Sequence, residues 1–152
     1  MRVVHTTRSV PADAETVWQV LTDWVHMDWR GDLSSIRVSR NGDMQTITET
    51  LRSGLTAHFM VTKWEPPAEF EKYLAGETVS RRWGVTLTPA GPGETQVTLR
   101  EEYVFKNRLL SLLSRFYVPI RAEQKRYLKA LEARLRDPLP TADQAVHLSQ
   151  QE

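Results

Sequence analysis

The run Val10-Pro11-Ala12-Asp13-Ala14-Glu15-Thr16-Val17-Trp18-Gln19-Val20-Leu21 constrains this chain most. Arg2 to Val10 is rich in β-branched residues and reads as a strand. Pro11 stops it, because proline brings no backbone N–H to a ladder. Ala12 to Leu21 then reads as a helix, with Val17, Val20 and Leu21 on one apolar face. Asp13 and Glu15 stand near its start, where the helix dipole favours acids. Trp24 and Val25 extend the pattern into a second short helix, and Gly31 and Asp32 close the section.

The middle of the chain alternates apolar and polar residues and reads as an antiparallel meander. Ile36 and Val38 mark one strand, and Asn41-Gly42-Asp43 is a strong hairpin turn. Ile47 to Leu51, Leu55 to Trp64, Phe70 to Leu74, Val79 to Thr88 and Thr95 to Phe105 follow, which makes seven strands with the first. Asn107 to Arg136 reads as one long amphipathic helix, kinked at Pro119. From Asp137 the apolar period ends, so residues 137–152 are expected to be a disordered tail and residues 1–136 the single domain.

Composition bounds the function. Net charge is +1, which argues against a dedicated nucleic-acid binder. Cysteine is absent, so disulfides and thiolate metal sites are excluded. His5, His26, His58 and His147 have no metal-ligand spacing, and no metal or cofactor is expected. Met1 to Thr7 lacks the apolar region of a signal peptide, and no apolar run approaches the roughly 20 residues of a membrane span. A cytoplasmic protein is the expectation. Gly91-Pro92-Gly93 lacks the third glycine and following helix of a dinucleotide loop and reads as a hairpin turn.

Three stretches, taken in order, carry a family resemblance. They are the Val17-Trp18 helix with Asp23 and Trp29, the strand end Val61-Thr62-Lys63-Trp64-Glu65-Pro66-Pro67, and Trp83-Gly84-Val85-Thr86-Leu87-Thr88-Pro89 running through Gly91-Pro92-Gly93 to Val97-Thr98-Leu99. Their order and spacing resemble the SRPBCC/START-like superfamily, in its polyketide cyclase/dehydrase-like branch. The resemblance implies an α+β helix-grip fold. A seven-stranded curved antiparallel sheet would wrap a long C-terminal helix, with two short helices after the first strand. It also implies a cavity between sheet and helix for an apolar ligand such as a lipid or polyketide. No catalytic motif carries over residue by residue, and whether the chain is an enzyme stays open.

Strand alternation nominates cavity residues. Val97, Leu99, Glu101, Tyr103 and Phe105 share one face, which is expected to look inward. Val4, Thr6, Arg8 and Val10 share a face of the first strand, which neighbours the last in the helix-grip order. Arg8 and Glu101 are therefore expected to pair, since a buried charge needs a partner. Ile47, Glu49 and Leu51 share another face, with Glu49 read as a solvated or rim carboxylate. Leu55, Ala57, Phe59 and Val61 form an apolar wall, and Tyr117, Arg121 and Gln124 approach from the helix near its kink. The ligand-binding candidates are Arg8, Phe59, Val61, Leu99, Glu101, Tyr103, Tyr117 and Arg121. The leading reading is a binder of a small apolar molecule. The rival is a cyclase/aromatase or dehydratase using Glu101 or Glu49 as acid or base. A minor third reading is a lipid carrier at anionic membranes. It rests on residues 106–136, where nine Lys or Arg face two Glu, a net of +7. Oligomeric state is open.

Overall fold

The computed structural model describes residues 1–117 and 119–137, and at 115–117 the backbone alone. Ten elements follow in order: β1 (Arg2–Val10), α1 (Ala14–Thr22), β2 (Leu33–Asn41), β3 (Met44–Leu51), β4 (Thr56–Glu65), β5 (Glu69–Ala75), β6 (Val79–Pro89), β7 (Thr95–Phe105), α2 (Arg108–Tyr117) and α3 (Ile120–Arg136). The strands form one antiparallel sheet in the order β1-β7-β6-β5-β4-β3-β2. Strands β2 to β7 are a simple meander, and β1 returns to the far side to pair with β7. This is the curved seven-stranded sheet of the helix-grip fold.

Local chemistry explains the joins. The Asp13 carboxylate accepts from the backbone N–H of Thr16 at 2.8 Å, which caps α1 two residues later than the apolar period suggests. Asn41 pairs with Met44, so the first hairpin turns on Gly42-Asp43, and Gly42 takes the positive φ of +62° that this tight turn requires. The inner face of the sheet and one stripe of each of α1 and α3 share a core. Val17, Trp18 and Leu21 of α1 meet Val85, Leu87, Val97 and Leu99 of the sheet and Leu128 and Leu131 of α3. Gln124 of α3 ties the helix to β1, donating to the Val4 carbonyl at 3.0 Å and accepting from the Thr6 hydroxyl at 2.7 Å.

Two expectations need correction. The helix expected over Asn107 to Arg136 is two helices. Pro119 occupies the N-cap of α3 with a non-helical ψ of 62°. Proline has no N–H to give to a continuing helix, so the chain breaks here rather than bends. The second short helix after α1 is absent. Asp23 to Gly31 runs through turns closed by His26 N–H to the Asp23 carbonyl and Arg30 N–H to the Met27 carbonyl. Val25 is exposed, so the extended apolar face of that helix does not exist. The tail expected to be disordered falls, from residue 138 on, outside the described residues. Among the described residues no helix is long and apolar enough to cross a membrane.

Candidate functional site

A cavity of about 520 Å³ lies between the sheet and α3. Its wall is built by strand alternation, β3 to β7 each sending one inner-face side chain or two. Glu49 comes from β3, Ala57 from β4, Lys72 from β5, Arg81 and Trp83 from β6, and Leu99 and Glu101 from β7. Gln124 and Tyr127 of α3 form the opposite wall, and the turn Arg30–Asp32 closes one end. The turns that replaced the expected helix are what deliver Arg30 here.

Three cations and two carboxylates occupy this interior. Glu49 is only 4% exposed. It accepts from the Lys72 ammonium and, at 2.9 Å, from Nη1 of Arg30. Arg30 turns its other edge to Asp32, at 2.8 and 3.3 Å, and lies over the Tyr127 ring at 5.2 Å. Arg81 donates through Nε to one oxygen of Glu101 at 3.0 Å, with Nη2 ion-paired to it at 2.9 Å, and the Tyr103 hydroxyl donates to the same oxygen at 2.9 Å. The Lys72 ammonium also sits over two rings, 4.2 Å from the centre of Phe59 and 4.8 Å from that of Trp83. The Arg81 guanidinium shares Phe59, at 5.6 Å.

These neighbours set the titration of each group. Burial would raise the Glu49 carboxyl, but the Lys72 and Arg30 charges outweigh it and hold it at about 2. Lys72 moves the other way from an ordinary ion-paired lysine. Its burial dominates, and the repulsion of Arg30 and Arg81 partly offsets the attraction of Glu49, so its ammonium falls to about 8. One carboxylate shared by two cations keeps Glu49 low and leaves the burial of Lys72 incompletely offset. Burial also pushes the Tyr103 and Tyr127 hydroxyls well above their usual range.

An aromatic ladder supports the charges. Edge-on contacts run from Trp18 to Trp64, Phe70, Trp83, Tyr127 and Trp29, with successive centroids 5.1 to 5.7 Å apart. Such pairs fix ring positions and hold the cavity wall in one arrangement.

The residues nominated from the sequence separate into distinct groups. Glu49, Leu99 and Glu101 line the cavity. Phe59 lies beneath Lys72, Tyr103 stands behind Glu101, and Val61 packs into the core instead of the cavity wall. The expected Arg8–Glu101 pair does not form. Arg8 registers with Val97 while Glu101 registers with Val4, and Arg8 instead pairs with Glu132 of α3 at the protein surface. The reading of Glu49 as a rim carboxylate is overturned by its burial. Arg121 is exposed on α3 away from the cavity lining. The Tyr117 side chain lies outside the described residues.

Arg30, Lys72, Arg81 and Tyr127 were not nominated for this site, whereas Trp83, expected among the core and cavity-wall residues, does line it. A signal existed for two of them. Lys72 shares a strand face with Phe70 and Leu74, and Arg81 shares one with Trp83, Val85 and Leu87. A cation within an apolar face needs a buried partner. Arg30 lies in turns without periodicity, and nothing local marks it.

The family model for "Polyketide cyclase / dehydrase and lipid transport" matches residues 1–136. Among solved structures, a Thermus thermophilus protein is similar at 18% identity and TM-score 0.72, covering 91% of this chain and 100% of that one. A START superfamily protein from Mycobacterium smegmatis is similar at 18% identity and TM-score 0.65, covering 89% of this chain and 97% of that one. Norcoclaurine synthase from Thalictrum flavum, in complex with dopamine and hydroxybenzaldehyde, is similar at 13% identity and TM-score 0.71, covering 92% and 89%. At these identities the likeness is one of fold. No curated protein matches the chain.

Proposed function

Since the chain belongs to the polyketide cyclase / dehydrase and lipid transport family, we propose that its cavity binds a small molecule with an apolar, ring-bearing body and one anionic group. The observation that carries this reading is the interior charge. Arg30, Lys72 and Arg81 outnumber Glu49 and Glu101, and the acid that balances Arg30, Asp32, is more than half exposed. A carboxylate, enolate or phosphate entering between Lys72 and Arg81 would meet two cations whose donors the carboxylates do not use up. Lys72 has N–H donors beyond the one on Glu49, and Arg81 has Nη1 beyond those on Glu101. Trp83, Leu99, Ala57 and Leu51 offer the apolar surface. The volume falls within the range of small-ligand pockets, roughly 300–1,000 Å³.

Native mass spectrometry of freshly purified protein, followed by titration with an aromatic carboxylic acid and its methyl ester, tests the reading. The acid is expected to bind and the ester to bind more weakly, with the difference lost in Lys72→Met. Equal binding of both would overturn the anionic requirement.

A second reading has its own support. If the protein performs chemistry, Lys72 is a better proton acceptor than either nominated carboxylate. Its amine is held at about 8, near neutrality, whereas Glu49 is held at about 2 with its oxygens engaged by two cations. A neutral Lys72 would remove a proton next to a substrate carbonyl, and Arg81 would steady the enolate. A rate that rises with pH through about 8, and does so no longer in Lys72→Met, is the expected signature.

A further inference from the structure

Over its described side chains, helix α2 is inside out. In globular proteins a surface helix turns its apolar stripe to the core. Here Ser114 is buried and Ser111 half-buried, while Leu109 and Leu112 are 61% and 56% exposed and Leu110 and Leu113 are also exposed. At 3.6 residues per turn the four leucines fall within an arc of about 160°, and the two serines lie across from it. Polar contacts hold this orientation. The Asn107 side chain accepts from the Leu109 N–H at 2.8 Å and starts the helix. Arg2 of β1 donates to the Ser114 carbonyl at 2.9 Å, and the Ser114 hydroxyl to the Ser111 carbonyl at 2.8 Å.

From this face we infer that α2 docks the protein on an anionic lipid surface. Charge decides the occupant. Lys106 and Arg108 are exposed at the start of the leucine face, and Arg121 and Lys125 are exposed on α3 just beyond its end, with Glu123 the exposed acid among them. A second copy meeting this face through a two-fold axis would set like charges against like. An anionic bilayer complements them, and an amphipathic helix with basic flanks lies in the headgroup layer with its leucines buried among the acyl chains. This docking is independent of what the cavity binds, because none of the described side chains of α2 lines the cavity wall.

Co-sedimentation with two sets of vesicles tests it, one of phosphatidylcholine alone and one containing phosphatidylglycerol. Binding to the anionic set is expected to exceed binding to the neutral set by about tenfold or more, and to fall as salt is raised, since each surface cation contributes roughly fivefold. The double variant Leu109→Gln/Leu112→Gln is expected to lose vesicle binding with its denaturation midpoint unchanged, because both side chains already meet water. Lys106→Glu/Arg108→Glu is expected to retain the fold and lose the preference for anionic lipid. Absence of wild-type binding, or undiminished binding by the leucine variant, would overturn the inference. So would a solution dimer that the leucine variant dissociates, which would make a second copy the occupant.

Discussion

Lys72 on β5 reaches across β4 to Glu49 on β3, with Phe59 of β4 beneath the bridge. The register explains the fit. Ala57 pairs with Glu49 and Val61 with Lys72, so Phe59 lies midway between them along β4. An ion pair this buried is costly to desolvate, and its value lies in what happens when one partner goes.

Removing the shared carboxylate should therefore hurt more than removing either cation. Glu49→Gln leaves Lys72 and Arg30 facing one another in the interior, and a loss of about 3–5 kcal/mol is expected. Lys72→Met leaves Glu49 bound to Arg30 and should cost less. Urea denaturation of the two variants measures the order, and a larger loss for Lys72→Met would refute the shared-carboxylate account.

Acid should expose the same group. Glu49 is held at about 2 in the fold against 4.5 for an ordinary glutamate carboxyl. Between those values the unfolded chain takes up a proton that the folded chain refuses, so its contribution is complete above pH 4.5 and lost as pH falls toward 2. Asp13, Asp23, Glu71 and Glu132 are lowered too and act in the same direction. The readout is thus the difference between wild type and Glu49→Gln, which should shrink across this window. A difference that stays constant would mean that the Glu49 carboxyl titrates alike in both states.

Lys72 acts with the same sign in a higher window. Its folded value of about 8 lies below the ordinary 10.5, so between them the unfolded chain holds more protons and this group's contribution to stability rises with pH. Ligand affinity should move the other way. An anionic ligand gains from the ammonium, so its dissociation constant should rise as pH passes through about 8. Calorimetric titration on both sides of that value checks this. A flat profile in the wild type would show that Lys72 does not read the ligand's charge.

Ala57 offers a test of the space itself. It is half-buried, lines the cavity and stands beside Glu49. Ala57→Phe should fill part of the volume and abolish ligand binding, with the fold retained because the new ring enters open space rather than packed core. Thermal denaturation and ligand titration on one sample separate the two effects. Undiminished binding would place the ligand elsewhere.

The order of elements and the inward faces were legible in the sequence because alternation is a local property. Leu99 and Glu101 were placed on the cavity wall by counting in twos. Register was not legible. Arg8 and Glu101 do lie on neighbouring strands, but they stand four residue steps apart along them, and only the paired backbone reveals that. Glu49 was misread for a related reason. Its partners lie 19 and 23 residues away, at Arg30 and Lys72, and a carboxylate without visible partners reads as solvated. The helix break at Pro119 was marked as a kink because its sequence signal is the same for both outcomes.

The return of β1 to β7 also sets an order of events in time. Val10 pairs with Thr95 and Arg2 with Tyr103, separations of 85 and 101 residues, whereas every other strand pairs with its immediate successor. During synthesis the hairpins from β2 onward can zip in sequence while the first strand waits, its backbone groups unmatched. Only when β7 has emerged can β1 join, and α3, which rests on β1 through Gln124, must follow. The binding chamber is therefore the last part of the molecule to exist, and a chain interrupted before β7 has an orphaned strand at its beginning, open to pairing with another copy.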